Sequence, residues 1–183
     1  MKVRGVDIND ILLGCDSLLE FGTELDFNKR YLDFHYRSRH PYLIDFSNFA
    51  FYNQRLKPLP NTFEYIPISY IPVDGTFSEH TNEAEAEMVL EIIEKNIQRL
   101  PDGNYPSVGV ATFNITQRDL IKTKISERRK LAKYTEFDKK IQELEQNGLF
   151  IKNLENIQGD ERDIIILSTT LTINSICCNS IVL

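Results

Sequence analysis

Two unbroken apolar runs set the frame of this chain. Val108-Gly109-Val110-Ala111-Thr112-Phe113 and Ile164-Ile165-Ile166-Leu167-Ser168-Thr169 read as strands buried on both faces, as in a parallel sheet covered by helices. Phe63 to Ile71 reads as a further strand, placed at a sheet edge by Pro67. Leu149-Phe150-Ile151 predicts a short one. Between them the period lengthens. Ala84, Met88, Ile92, Ile93, Ile97 and Leu100 mark the buried face of a helix, which Asn82 and Glu85 open as a capping box. Thr116 with Asp119 predicts the start of another helix reaching Lys130, with a resumption over 136–147. Upstream, Pro41 starts a helix that runs to about Gln54 and ends before Pro58-Leu59-Pro60. Ile11-Leu12-Leu13 and Leu18-Leu19 suit one short amphipathic helix. Strand and helix alternate from residue 63 onward, which predicts an α/β fold with a parallel sheet.

Composition narrows this only a little. With 183 residues, 42% hydrophobic and 26% charged, one sizeable core is expected. A net charge of −6 excludes a uniformly basic nucleic-acid coat but not a local basic track. Cys15, Cys177 and Cys178 make an odd set without metal-ligand spacing, which points to a reduced, cytoplasmic setting and to no metal site. The first residues lack the apolar segment of a signal peptide. No stretch approaches the roughly 18 apolar residues of a membrane helix, so no membrane partner is expected.

Four segments carry candidate chemistry. The polar turn 154–163, rich in carboxylates and amides around Gly159, abuts a buried strand and reads as a ligand edge. In His35-Tyr36-Arg37-Ser38-Arg39-His40-Pro41 the arginines either grip phosphate in a bidentate way or pair with surface carboxylates; the histidines are read as structural. Thr112-Phe113-Asn114-Ile115-Thr116-Gln117 offers hydroxyl and amide groups at a strand end and helix start, either a phosphate contact surface or simply a capped helix. Residues 117–140 hold nine basic side chains against four acidic ones, either a nucleic-acid track or a solvated face. No Gly-x-x-x-x-Gly-Lys-Ser/Thr loop occurs, no Asp-Glu pair follows a hydrophobic strand, and no nucleophilic triad can be argued from spacing.

Taken together, three blocks resemble superfamily 1 DNA/RNA helicases. Tyr36-Arg37-Ser38-Arg39-His40 followed by Leu43-Ile44, Phe46-Ser47-Asn48 and Phe51-Tyr52 is similar to that family's YRSRH…LI.FSN..FY signature. Val108 to Asn114 with Gln117-Arg118-Asp119-Leu120-Ile121 resembles its GVVTF…QRDLI block. Phe150 to Ser168 resembles its FVKNLENVQGDERDVIIFS block. Order and spacing fit over residues 31–169, and the likeness is closest to large bacterial helicases of the nonsense-mediated-decay type.

The resemblance implies the second RecA-like domain, incomplete, over 31–170, with 1–30 as a lead-in of unclear role and 171–183 as a non-matching tail. It implies that Arg37 is an arginine finger reaching the γ-phosphate. Gln158, Gly159 and Glu161 would lie at the nucleotide, with Glu161 accepting from ribose hydroxyls. Thr112, Asn114 and Asn156 would face single-stranded DNA or RNA and contact its backbone. ATP and Mg2+ are implied for the parent protein, and none is expected on this chain alone. The phosphate loop belongs to the first RecA-like domain, a missing partner, and the family's final LNVAVTRA block has no counterpart, as if the chain stopped early. A separate reading keeps the basic helix 117–140 as a non-catalytic nucleic-acid-binding module.

Overall fold

The computed structural model describes residues 2–3, 6–38, 40–60, 65–170 and 179–182. The chain forms two units, Met1–Glu64 and Tyr65–Leu183. Arg39, Phe63, Cys177, Cys178 and most of the tail from Leu171 lie outside the described residues.

In the first unit Lys2–Val3 pairs antiparallel with Val6–Asp7. Helices Ile8–Leu13 and Leu18–Glu24 follow. They replace the one helix expected there, because Ser17 starts a new one: its hydroxyl accepts from the Glu20 N–H at 3.2 Å. Neither helix buries a residue. Phe34–His35 pairs in parallel with Lys57–Pro58, and between them α1 spans Tyr42–Tyr52. His40 Nδ1 accepts from the Tyr42 N–H at 3.2 Å. Asn48 is the one buried residue of α1. Its amide donates to the Leu56 carbonyl and its oxygen accepts from the Leu56 N–H, both at 2.9 Å. Phe46, Phe49 and Phe51 stand exposed.

The second unit is built on five strands: β1 (Tyr70–Val73), β2 (Val108–Thr112), β3 (Phe150–Asn153), β4 (Ile164–Ser168) and β5 (Asn179–Val182). Their order is β1-β5-β4-β2-β3. β2 pairs in parallel with both β3 and β4, while β5 runs antiparallel to β4 and β1. Of the strand expected over Phe63 to Ile71, residues 65–69 lie outside any strand and Phe63 lies outside the described residues, so the described strand is Tyr70–Val73. It lies at the sheet edge, where its one proline, Pro72, is tolerated, and the parallel sheet carries one antiparallel insert.

Helices α2 (Glu83–Glu91), α3 (Ile115–Lys130) and α4 (Thr135–Gln146) supply the other layer. Ala86, Val89 and Leu90 of α2, Ile121 and Ile125 of α3, and Phe137, Ile141 and Leu144 of α4 form one cluster with Val108, Val110 and Ile166 of the sheet. Side chains alternate across a strand. Ile165 and Leu167 therefore point to the opposite face, outside that cluster and only half-buried. β2 is buried at every position and β4 is not, so two-face burial holds for Val108–Thr112 of the first apolar run, though not for Phe113 at its end, and fails for the second.

α2 ends before Leu100, which is exposed. It passes into a π-helical turn, Ile92–Asn96, where the Ile97 N–H reaches back to the Ile92 carbonyl. The Lys140 ammonium of α4, almost fully buried, donates to the carbonyls of Glu94 and Ile97 there. Burial pushes the pKa of this lysine down. Lys124 bridges to Glu83, and Arg128 to Glu87 and Glu94, tying α3 to α2.

Candidate functional site

The parallel strands end level with one another. Thr112 is in register with Asn153 on one side and Ser168 on the other, so the chain turns off the sheet at Phe113, Leu154 and Thr169 along a single rim. Thr112 is fully buried, and its hydroxyl donates to the Asn114 carbonyl at 2.8 Å. Asn114, rather than the expected Thr116, caps α3: its side-chain oxygen accepts from the Gln117 N–H at 2.8 Å. Its side-chain NH2 donates to the Thr170 hydroxyl at 3.0 Å. Asn156 is exposed in a 3-10 turn, Leu154–Asn156, and donates to the Asn153 side-chain oxygen.

Beneath this rim lies a buried polar network that the sequence did not disclose. Asn82 caps α2 by accepting from the Glu85 N–H at 3.1 Å, but Glu85 does not complete the box. Its carboxylate, fully buried, instead accepts from the Ser168 hydroxyl and the Thr169 N–H at 3.1 Å and from the Thr170 N–H at 2.7 Å. The Asn82 N–H turns to the Gln117 side chain at 2.8 Å, and Gln117 donates back to the Asn82 carbonyl at 3.1 Å. Thr170, at φ +61°, holds a left-handed conformation unfavourable for a β-branched residue. The Glu85 clamp and the Asn114 bond fix it there. Burial raises the Glu85 pKa against the opposing pull of its hydrogen bonds. The capping spacing was the only local signal for Glu85, whose partners lie more than eighty residues onward.

The segment between β3 and β4 returns from the rim to the opposite end of the sheet. Lys152 pairs with Asp160 at 2.6 Å. Arg162 donates to the Gly148 carbonyl at 2.8 Å and stacks on the Phe150 ring. Asp163 accepts from the Ser107 N–H at 3.0 Å and from its hydroxyl at 2.7 Å. The Phe150 ring in turn covers Gly109 so closely that a Cβ there would collide with it. Among these pinned residues Gln158, Gly159 and Glu161 remain exposed. Gly159 sits at φ +86°, a conformation that favours glycine. The Glu161 carboxylate has no ion-pair partner among the described residues.

Arg37 belongs to the first unit, where it is exposed and forms no ion pair among the described residues. His35 meets Ser38 through its Nε2, in keeping with a structural role. The basic run 117–140 is largely neutralised in place. Arg118 pairs with Asp119, Lys124 with Glu83, Arg128 with Glu87 and Glu94, Arg129 with Asp138 and Glu145, and Lys139 with Glu136, while Lys140 is buried. Among the described residues no cluster of His, Cys, Asp or Glu is placed to hold a metal ion. No described helix is long and apolar enough to cross a membrane.

Comparison with known proteins places this geometry. A family profile described as an AAA domain matches residues 16–175. An uncharacterized ATP-dependent helicase of Mycoplasma genitalium, MG140, is 38% identical over 142 residues, covering 75% of this chain and 12% of the relative. Its homolog in Mycoplasma pneumoniae is 36% identical over 139 residues, with the same coverage. The chain therefore spans about an eighth of the length of these relatives. The parallel strands, their helical layer and these matches agree: the chain belongs to the AAA domain family and is a superfamily 1 helicase-like region of α/β, RecA-like architecture.

Proposed function

We propose that this chain is the C-terminal RecA-like part of an ATP-dependent superfamily 1 DNA or RNA helicase, acting in the cytoplasm, whose phosphate loop and Mg2+ carboxylates belong to a first RecA-like domain. In this reading Arg37 supplies the guanidinium that stabilises charge on the transferring γ-phosphate. Gln158, Gly159 and Glu161 form one wall of the nucleotide cleft, Glu161 accepting from ribose hydroxyls. The rim that carries Thr112, Asn114 and Asn156 lines the path of the single strand. One observation carries the proposal. In the segment 157–163 Asp160, Arg162 and Asp163 are bound to their own fold, and the three residues left exposed and open to a ligand are those the resemblance assigns to the nucleotide. A wall needs a rigid backing and free polar groups facing out.

Two titrations followed by amide NMR test it. ATP is expected to shift the signals of residues 158–161, weakly, because the chain contains no phosphate loop. A single-stranded oligonucleotide is expected to shift those of 112–116 and 153–156. ATP perturbing neither segment, or both ligands moving the same residues, would overturn the assignment.

The second reading, a non-catalytic binding module on helix 117–140, meets the pairing described above. Of its nine basic residues only Lys122, Lys130 and Lys133 lack a carboxylate or carbonyl partner among the described residues. That leaves little net charge to hold phosphates.

A further inference from the structure

β3 is the last strand of its sheet and pairs with β2 alone among the described residues. A groove of about 650 Å³ lies against it. Leu149, just before the strand, and Ile151 lie against the helix-covered core, while Phe150 packs over Gly109 on the opposite face and Lys152 shares that face. All four line the groove, so it runs along the edge of the strand rather than over either face. Such an edge presents a row of unpaired N–H and carbonyl groups. The facing wall is α3. Lys122, Ser126 and Lys130, four residues apart, fall on one stripe of that helix, and all three are exposed and line the groove. Neither lysine forms an ion pair among the described residues. The one carboxylate in the lining, Glu145, is bound by Arg129. The groove thus keeps free positive charge in a chain of net charge −6.

We propose that an acidic segment of a partner protein adds to β3 as an extra strand, its backbone on the open edge and two carboxylates on Lys122 and Lys130. Main-chain bonds supply affinity in such docking, and the flanking side chains supply specificity. The spacing agrees. Two turns and more of helix set Lys122 and Lys130 about 12 Å apart along the axis. Four residues of extended chain cover about 13 Å, with the first and last side chains on the same face. A second copy of this chain fits poorly, because edge-to-edge pairing would bring two sets of these lysines together. The segments of this chain outside the described residues carry one carboxylate between them, Glu64, so they do not supply the acidic strand. Two free cations beside a strand edge also suit a peptide better than a nucleic acid, whose affinity rests on many phosphate contacts.

The probe is a short fluorescein-labelled peptide of alternating glutamate and valine, followed by anisotropy. Lys122→Ala combined with Lys130→Ala is expected to weaken its binding by roughly 5- to 30-fold, the range that two exposed ion pairs support. Circular-dichroism melts check the fold of the variant. Only alternate N–H groups of an added strand face its neighbour. Of two peptides N-methylated either at the glutamates or at the valines, one should therefore lose binding and the other keep it. The bound peptide should also slow amide hydrogen exchange in residues 150–153. No binding would overturn the proposal. Equal binding of both methylated peptides, or unchanged exchange in β3, would overturn it in favour of plain surface charge pairing. Oligothymidylate shifting the amide signals of 122–130 and 149–152 would give the groove to nucleic acid instead. Dimerisation in sedimentation that protects the same β3 amides would give it to a second copy. Each of these outcomes leaves the nucleotide wall proposed at 158–161 to its own test.

Discussion

Glu85 is the residue whose environment departs furthest from its place in the sequence. It sits in the first turn of α2, where an acidic side chain is usual and solvated, yet its carboxylate is buried and receives three donors from the end of β4. Glu85→Ala orphans those donors and is expected to lower stability by about 3 kcal/mol in urea unfolding. Its pH dependence has a definite sign. The native pKa lies above the unfolded value, so just above the unfolded value, about 4.3, the native state holds more protons. Stability from this group is then largest at low pH and falls as pH rises through that window. Glu85→Gln cannot titrate, and the difference in unfolding free energy between the two proteins should change in that window and level off above it. Gly109 is the other critical position, since a methyl group there enters the Phe150 ring. Gly109→Ala is expected to cost about 2 kcal/mol. Phe150→Leu in the same chain should recover part of that loss, and unchanged additivity in a double-mutant cycle would show that the ring is not the obstacle.

At the scale of elements, the strands were legible where burial alone decides. Val108 to Thr112 reads as a strand and is one, because a short apolar run with β-branched residues, preceded by the Pro101-Asp102-Gly103 turn, is too short for a buried helix. The start of α3 was misplaced by two residues. Asn114 and Thr116 are both good caps locally, and what selects Asn114 is Thr170, more than fifty residues onward. Asn114→Ala should therefore cost more than an ordinary cap, toward the upper end of the roughly 0.5–2 kcal/mol range in thermal melts. Asn114→Ser, which keeps the cap but not the bridge, should recover only part. The site divides in the same way. Gln158, Gly159 and Glu161 enter the candidate site through the resemblance alone, whereas the Glu85 network joins three segments distant in sequence and leaves no periodic trace. The basic helix shows the converse, since charge counted along a sequence says nothing of the carboxylates that face it across α2 and α4. Reversing Lys122, Lys130 and Lys133 to glutamate is expected to change single-strand affinity by no more than a few-fold, measured by filter binding over a salt series.

For the whole molecule, the two units differ in what they bury. Every member of the core cluster lies between Val73 and Ile166, and the first unit buries Asn48 alone among its described residues whose burial is known. A fragment covering residues 65–183 is expected to melt cooperatively, with a midpoint within a few degrees of the full chain, while residues 1–64 alone should show no cooperative transition by circular dichroism. Steady-state ATP hydrolysis by the 183-residue chain is expected at background, with or without single-stranded DNA. Robust turnover abolished by Arg37→Ala would show a complete catalytic site in this one chain. The buried ammonium of Lys140 also makes the molecule its own gauge of opening. Held on the carbonyls of Glu94, in the π-helical turn, and of Ile97, just after it, it is shut off from an acylating reagent that modifies the surface lysines at once. The rate at which Lys140 gains its label, followed by mass spectrometry, therefore clocks how often α4 parts from the end of α2.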